Sequence, residues 1–408
     1  MQPDPGATLH QPPFTKFWIA RTLSSSSFQM LSVAIGWQMY ALTHDAFSLG
    51  LVGLAQFLPM VLLTLIVGQV ADRFDRRLIV FLCQLIEGAI AVLLLAGSMT
   101  GWLGRTEILL AAAVLGACRA FEGPSSSALL PMLVPKELLP KAIAWTTSAG
   151  QTSQILGPTL GGLLYVAGPE LVYITSALAL LAAGFLTYFI RTERIVRKSE
   201  PVTVSSLFSG LVFVRRNPVI LGTISLDLFA VLLGGATALL PIFAQDILHT
   251  GPVGLGVMRT APAVGALLMS LVLAYYPLNR ALGPTLFGAL AVFGLATMLF
   301  AVSTQLWISL VALLLIGASD VISVVIRSSL VQLQTPDEMR GRVNAVNSLF
   351  IGTSNQLGEF ESGTLAGLIG TVPAAFIGGL GTLAVAGLWM FLFPSLRRLK
   401  SLSEGLTN

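Results

Sequence analysis

Charged side chains are scarce in this 408-residue chain: 10% of its residues, where a soluble domain carries about 25%. So few charges do not cover a water-facing surface of this size, which excludes an ordinary soluble enzyme or binding module. Cysteine is nearly absent, with only Cys83 and Cys118, both inside apolar runs, so there is no disulfide framework and no metal-thiolate spacing. Histidine is nearly as rare: His10, His44 and His249 fall outside the apolar runs, and no His/Cys cluster offers a metal site. HExxH, GxSxG and P-loop patterns are missing as well. No enzyme, no metal and no cofactor is expected, and no repeated ring of polar residues marks a passive pore. The Pro-rich N-terminus has no cation before Lys16. It does not read as a signal peptide, and the first apolar run is expected to direct insertion itself.

What the chain has in abundance is apolar sequence, 55% of residues, with 40 glycines that suit close helix contacts in lipid. Runs of about 20 apolar residues are long enough to cross a hydrocarbon core of about 30 Å. Twelve such runs are read at 17–42, 49–71, 78–98, 107–129, 142–167, 171–190, 219–248, 253–276, 285–302, 306–327, 343–369 and 372–393. The expected fold is an all-α polytopic membrane protein. Its organisation would be an N-terminal tail (1–16), a six-helix bundle (17–191), a linker (192–217), a second six-helix bundle (218–394) and a C-terminal tail (395–408). Residues 205–214 of the linker have the pattern of a short amphipathic surface helix.

Net charge is +4, and the placement of the cations explains it without a nucleic-acid partner. Lys16, Arg21, Arg73, Arg76, Arg77, Lys136, Lys141, Arg280, Arg340, Arg342, Arg397, Arg398 and Lys400 fall in the tails and alternate loops, and the linker adds more. The opposite loops offer little beyond Arg105. The positive-inside bias therefore puts both termini in the cytoplasm.

The two halves are related. Ser127–Ala128–Leu129–Leu130, Pro135–Lys136–Glu137, Lys141, Gly157 and Gly161–Gly162 return, 201 positions later, as Ser328–Ser329–Leu330–Val331, Pro336–Asp337–Glu338, Arg342, Gly358 and Ser362–Gly363. Duplicated helical units that handle a substrate between them are a recurrent plan of membrane transporters.

Three local patterns carry chemistry. After the second run comes Gly68–Gln69–Val70–Ala71–Asp72–Arg73–Phe74–Asp75–Arg76–Arg77. Here Gly68 is expected to form a tight turn, Asp72 to accept from a neighbouring helix N-terminus, and Arg73, Arg76 and Arg77 to lie at the anionic leaflet. In the fourth run Arg119 and Glu122 are three apart, hence neighbours on one helical face. An arginine at this depth must be paired or face water, so the two form either a structural ion pair or part of a coupling site. The fifth run holds Gly157–Pro158–Thr159–Leu160–Gly161–Gly162, small enough for backbone contact between halves, with Pro158 as a bend. Pro59, Pro124, Pro241 and Pro262 interrupt other runs, as tolerated kinks or as bending points.

Together these patterns resemble the major facilitator superfamily over essentially the whole chain, excluding about fifteen residues at each end. The Ala-Asp-Arg loop is similar to that family's loop motif, with Asp75 at the second-glycine position, and the Gly-Pro-x-x-Gly-Gly string is similar to its antiporter signature. A succession from Leu333 through Pro336, Asp337, Glu338, Met339, Arg340, Gly341 and Arg342 to Asn344 looks most like the drug and siderophore:proton antiporter branch related to the enterobactin exporter. The resemblance implies twelve helices in two pseudo-symmetric bundles and alternating access. It further implies proton-coupled export of a siderophore or lipophilic drug across a bacterial inner membrane. The partners would be that small molecule, protons and membrane lipid, with the protein a monomer. It also implies that Asp72 latches the halves on the cytoplasmic side and that Arg119 serves proton coupling. An uptake carrier for a nutrient or metal ion on the same fold is the alternative.

The remaining intramembrane charges are Glu87, Asp227, Arg259, Asp320, Arg327, Glu359 and Glu361. Burial favours a neutral carboxyl, so acids here are candidates for proton exchange. Arg119, Glu122, Asp227, Asp320, Glu359 and Glu361 form the candidate set. Glu359 and Glu361, two apart, point to different faces, so at most one is expected to see a cavity. Glu87 reads as a packing or lipid-edge residue. Asp320 stands at the repeat position of Arg119, which under the family's pseudo-symmetry would set opposite charges face to face. Gln29, Trp37, Gln38 and Tyr40 on the first run are candidates to line the substrate cavity; Trp37 and Tyr40 equally suit ordinary membrane aromatics.

Overall fold

In the computed structural model residues 11–190, 204–276, 278 and 281–400 are described, and these are helical almost throughout. The chain runs through α1 (Pro12–Thr43), α2 (Ala46–Arg73), α3 (Arg76–Thr100), α4 (Arg105–Leu129), α5 (Leu139–Tyr165) and α6 (Pro169–Tyr188). After α7 (Val204–Arg216) and α8 (Pro218–Leu233) come a one-turn α9 (Leu240–Ile242), α10 (Gly251–Tyr275), α11 (Leu282–Val302), α12 (Leu306–Gln334), α13 (Asp337–Ile369), α14 (Thr371–Leu392) and a short α15 (Pro394–Arg397). Among the described residues nine segments are long and apolar enough to cross a membrane. Helices α1, α5 and α13 are equally long but more polar, which brings the long helical segments to the twelve read from the sequence.

The chain divides into two compact units: Met1–Thr43 with Leu58–Pro201, and His44–Phe57 with Val202–Asn408. In the first, α1 is buried along most of its length and packs on α5 and α6, while α3 packs on α4 and α6. Bare glycine faces set these distances. A Cβ at Gly157 would stand 2.5 Å from the Gln29 Cβ, and one at Gly161 would stand 3.0 Å from the Met30 Cα. The Gly-Pro-x-x-Gly-Gly string thus serves the α1–α5 crossing inside the first unit, with Gly157 and Gly161 turned to α1. Gly162 and Pro158 are buried beside it.

The loop between α2 and α3 also departs from expectation. Gly68 lies within α2, and the reversal is made by Phe74 and Asp75. Asp75 is extended, with φ −64°, and its carboxylate accepts the Arg77 backbone N–H at 2.9 Å. It is a helix N-cap, and no glycine is required there. The side chains of Asp72 and Arg73 lie outside the described residues. Arg77 donates from Nη1 to the carbonyl of Ile190 at 2.8 Å, and Lys16 donates from Nζ to the carbonyl of Phe189 at 3.2 Å. Both cations therefore satisfy the C-terminal end of α6, where the carbonyls lack helical partners. Arg76 reaches Met132 Sδ at 3.6 Å.

In the second unit the seventh run is broken rather than one continuous helix. Helix α8 stops at Gly234, and the chain continues through a 3₁₀ turn (Ala236–Leu239), α9 and a π-helical turn (Phe243–Ile247). The causes are local: Gly234–Gly235 weaken the helix, and Pro241 supplies no N–H. The break lets Gly235 lie on the Gly358 backbone, 2.5 Å from where its Cβ would be. Helices α10 and α12 cross closely. A Cβ at Gly317 would land on the Pro262 carbonyl, and one at Gly265 on the Leu314 carbonyl. A buried core of Leu226, Leu286, Phe287, Leu330, Trp389 and Leu396 joins α8, α11, α12, α14 and α15. The linker residues 192–203, the tail residues 1–10 and 401–408, and Arg280 lie outside the described residues; residues 205–214 fall within helix α7.

Candidate functional site

In each unit one arginine gathers two carboxylates. In the first, Arg119 projects from α4. Its Nη1 meets Glu122 Oε2 at 2.9 Å and its Nε meets Glu87 Oε1 at 3.2 Å. Its Nη2 donates to the Ser24 carbonyl at 2.9 Å, and the guanidinium lies 4.3 Å from the Phe28 ring centroid. Glu122 Oε1 accepts from Ser24 Oγ at 2.8 Å and from Gln84 Nε2 at 3.0 Å. Gln84 Oε1 in turn accepts from Thr187 Oγ1 at 2.8 Å. Four helices thus contribute to a closed polar network in an apolar surround, and both carboxylates are buried. Arg21 lies within electrostatic range of Glu122 and Arg119.

Glu87 was read from the sequence as a packing or lipid-edge residue, and the lipid-edge reading is wrong. It is buried and shares the guanidinium with Glu122, because burial in an apolar surround obliges its charge to find a cation. One signal could have found it: it is the sole acid of α3, set in the middle of an otherwise apolar helix. Cys83 and Cys118, both buried and free, pack together with Ile79 beside this network.

In the second unit the arginine is Arg327 on α12. Its Nη1 pairs with Asp227 Oδ1 on α8, its Nε donates to the Ser323 carbonyl at 3.2 Å, and its Nη2 stands 3.9 Å from Asp320 Oδ1. Asp227 is 9% exposed by side chain and Asp320 44%. Both aspartates line a small cavity with Ala289, Phe293, Ser319 and Ser323. Arg327 was left out of the sequence-based set, yet it stands seven residues after Asp320, two turns on along one helix face. Glu359, on α13, lies against Gly53 and within electrostatic range of Arg259. Glu361 accepts from Ser362 Oγ at 3.3 Å. The two glutamates thus have different neighbours, and neither joins the Arg327 group.

The proposed cavity residues on α1 divide. Gln38 is buried and fully engaged: its Nε2 donates to Ser98 Oγ at 3.2 Å and its Oε1 accepts from the Tyr173 hydroxyl. It fastens α1 to α3 and α6 instead of lining a cavity, since an amide among apolar helices must spend its hydrogen bonds internally. Tyr40 is buried. Trp37 packs edge-on to Tyr165, with centroids 6.2 Å apart. Gln29 is half-buried against Gly157. Among the described residues no group of three or more His, Cys, Asp and Glu side chains could hold a metal ion.

Similarity to known proteins agrees with this architecture. The family model described as transmembrane secretion effector matches residues 4–405. The chain is 26% identical over 411 residues to the enterobactin exporter of Escherichia coli O1:K1 / APEC, covering 97% of this chain and 95% of that protein. The enterobactin exporter of Citrobacter koseri is also 26% identical, over 95% and 94% of the two chains. Among solved structures, a bacterial homologue of the human lysosomal transporter Spinster superposes with TM-score 0.73 at 13% identity, over 94% of this chain and 95% of that one. A bacterial homologue of the iron transporter ferroportin superposes with TM-score 0.71 at 17% identity, over 95% and 99%. At such identities these structures establish the fold alone. The duplicated helical plan, the intramembrane charges and the end-to-end family match give a multi-pass membrane transporter rather than an enzyme, and the chain belongs to the transmembrane secretion effector family of the major facilitator superfamily.

Proposed function

We propose that this protein is a proton-driven exporter of a small amphipathic compound, a siderophore or a lipophilic drug, working by alternating access in a bacterial inner membrane. Both termini face the cytoplasm, and the working unit is a monomer. The observation that carries the reading is the likeness to enterobactin exporters along 97% of the chain. Proton coupling is supported by the Arg327 group. Asp320 is the carboxylate in it that stays 3.9 Å from its cation and partly open, so it can exchange a proton without breaking the Asp227 pair. Arg119, Glu122 and Glu87 hold the first unit's helices in register, and Asp227 fixes Arg327.

The test is transport by purified protein in liposomes under an imposed pH gradient, with enterobactin and a panel of lipophilic dyes as probes. Wild type is expected to move at least one probe against its gradient, with protons moving the opposite way. Asp320→Asn and Asp227→Asn are expected to abolish that movement while each purifies as a folded, monodisperse protein. Coupled transport at the wild-type rate in both variants removes these aspartates from the mechanism. Protons and probe moving in the same direction replace export by uptake.

A further inference from the structure

Three arginines sit deep within spans, and two of them are ion-paired. Arg119 has two carboxylates, a carbonyl and an aromatic face. Arg327 has Asp227, a carbonyl and the more distant Asp320. Arg259 on α10 differs. Its Nε is buried without a hydrogen-bond partner, and among the described residues it forms no ion pair. Its opposite charge is Glu359 on α13, in the same unit, which influences it through space without closing onto it.

The surroundings of Glu359 complete the picture. Its Oε2 lies over the bare face of Gly53, 2.7 Å from where a Cβ would stand, and the Gln356 carbonyl borders the same glycine at 3.6 Å. One turn before Glu359 on the same face of α13, the side-chain amide oxygen of Gln356 is buried and has no donor. Within the second unit, then, a cation lies in electrostatic range of an anion it does not pair with, and an open acceptor stands one turn from that anion. An unpaired guanidinium inside a membrane is costly, and such residues mark substrate pathways. A planar anion supplies what Arg259 lacks, because the guanidinium fork matches a carboxylate in a two-point contact. A neighbouring N–H or O–H on the same ligand supplies what Gln356 lacks.

We propose that Arg259, Gln356 and Glu359 form a binding site for the anionic head of an amphipathic compound that carries a carboxylate close to an N–H or O–H donor. Arg259 holds the carboxylate, Gln356 accepts from the donor, and Glu359 balances the arginine when the site is free. As a cargo site this deepens the transport reading given above and rests on it, yet binding alone needs neither a gradient nor a direction.

The experiment uses dansylglycine, an aromatic carboxylate with an adjacent sulfonamide N–H, and its methyl ester, with binding followed by fluorescence on the purified protein in detergent. Wild type is expected to bind the acid at least tenfold more tightly than the ester. Arg259→Gln is expected to bring the two within twofold of each other, the acid losing far more affinity than the ester. Gln356→Leu is expected to weaken acid and ester alike by severalfold, because both keep the N–H. Should Arg259→Gln fail to fold, Arg259→Lys replaces it, with a preference for the acid reduced at least threefold as the expected result. No preference in wild type, or a preference undiminished by substitution of Arg259, overturns the site. An intact preference without gradient-driven movement would instead count against export.

Discussion

The two charge clusters have the same ingredients, one arginine and two carboxylates, and treat them differently. Around Arg119 the guanidinium is held by two carboxylates and a carbonyl: Glu87 and Glu122 are both buried, and Glu122 has two further donors in Ser24 and Gln84. Around Arg327 one carboxylate is closely paired and buried, while the other is 44% exposed and stands off at 3.9 Å. The first arrangement has little freedom to lose or gain a proton without dismantling a network of four helices. The second has a loose member. Nor are the clusters images of each other: the repeat relates Arg119 to Asp320 and Glu122 to Ser323, so each unit reached the same composition from different positions. Duplication preserved the helices and left the charges free to diverge.

Five substitutions put this contrast to the test. Arg119→Ala strands two buried carboxylates and is expected to cost the most, about 3–5 kcal/mol, read as a large drop in the melting temperature in detergent. Arg327→Ala strands only Asp227 fully and should cost less, about 3 kcal/mol; a larger loss than for Arg119→Ala would reverse the comparison. Glu122→Gln removes a carboxylate with three partners and is expected to lose about 1.5–3 kcal/mol, with Glu87→Gln, whose carboxylate meets only Arg119 among the described residues, losing less. The opposite order in melting temperatures would make Glu87 the principal holder of the arginine. Asp320→Asn should change stability by about 0.5 kcal/mol or less while removing gradient-driven transport; a stability loss as large as that of Glu122→Gln would show the Arg327 cluster to be as closed as the first.

The sequence made the helices legible because each span needs a long apolar run whatever it packs against, and Arg119 with Glu122 was legible because three residues on a helix always share a face. Glu87 was not. It meets Arg119 from a helix 32 residues earlier, and nothing in local spacing records such a contact. Gln38 was misread for the same reason: its partners Ser98 and Tyr173 come from α3 and α6, and an amide in an apolar helix looks identical whether it awaits a ligand or is already bonded. The break after α8 had its signals in Gly234, Gly235 and Pro241, but the sequence stays apolar on both sides, so Pro241 read as a kink within one span rather than as the end of a helix. The side chain of Asp75 capped a helix where family pattern suggested glycine, since a turn can be closed by a side-chain acceptor as well as by backbone freedom.

The α10–α12 crossing reaches further than packing. Pro262 and Gly317 touch backbone to backbone, one turn from Arg259 on the first helix and one turn from Asp320 on the second. With no side chains between them to slip or re-pack, the pair behaves as a single plank. A rigid tilt of α12, which bears Asp320 and Arg327, would carry α10 and Arg259 with it. A methyl group wedged in at Gly317 would separate the two charges mechanically before it touched either.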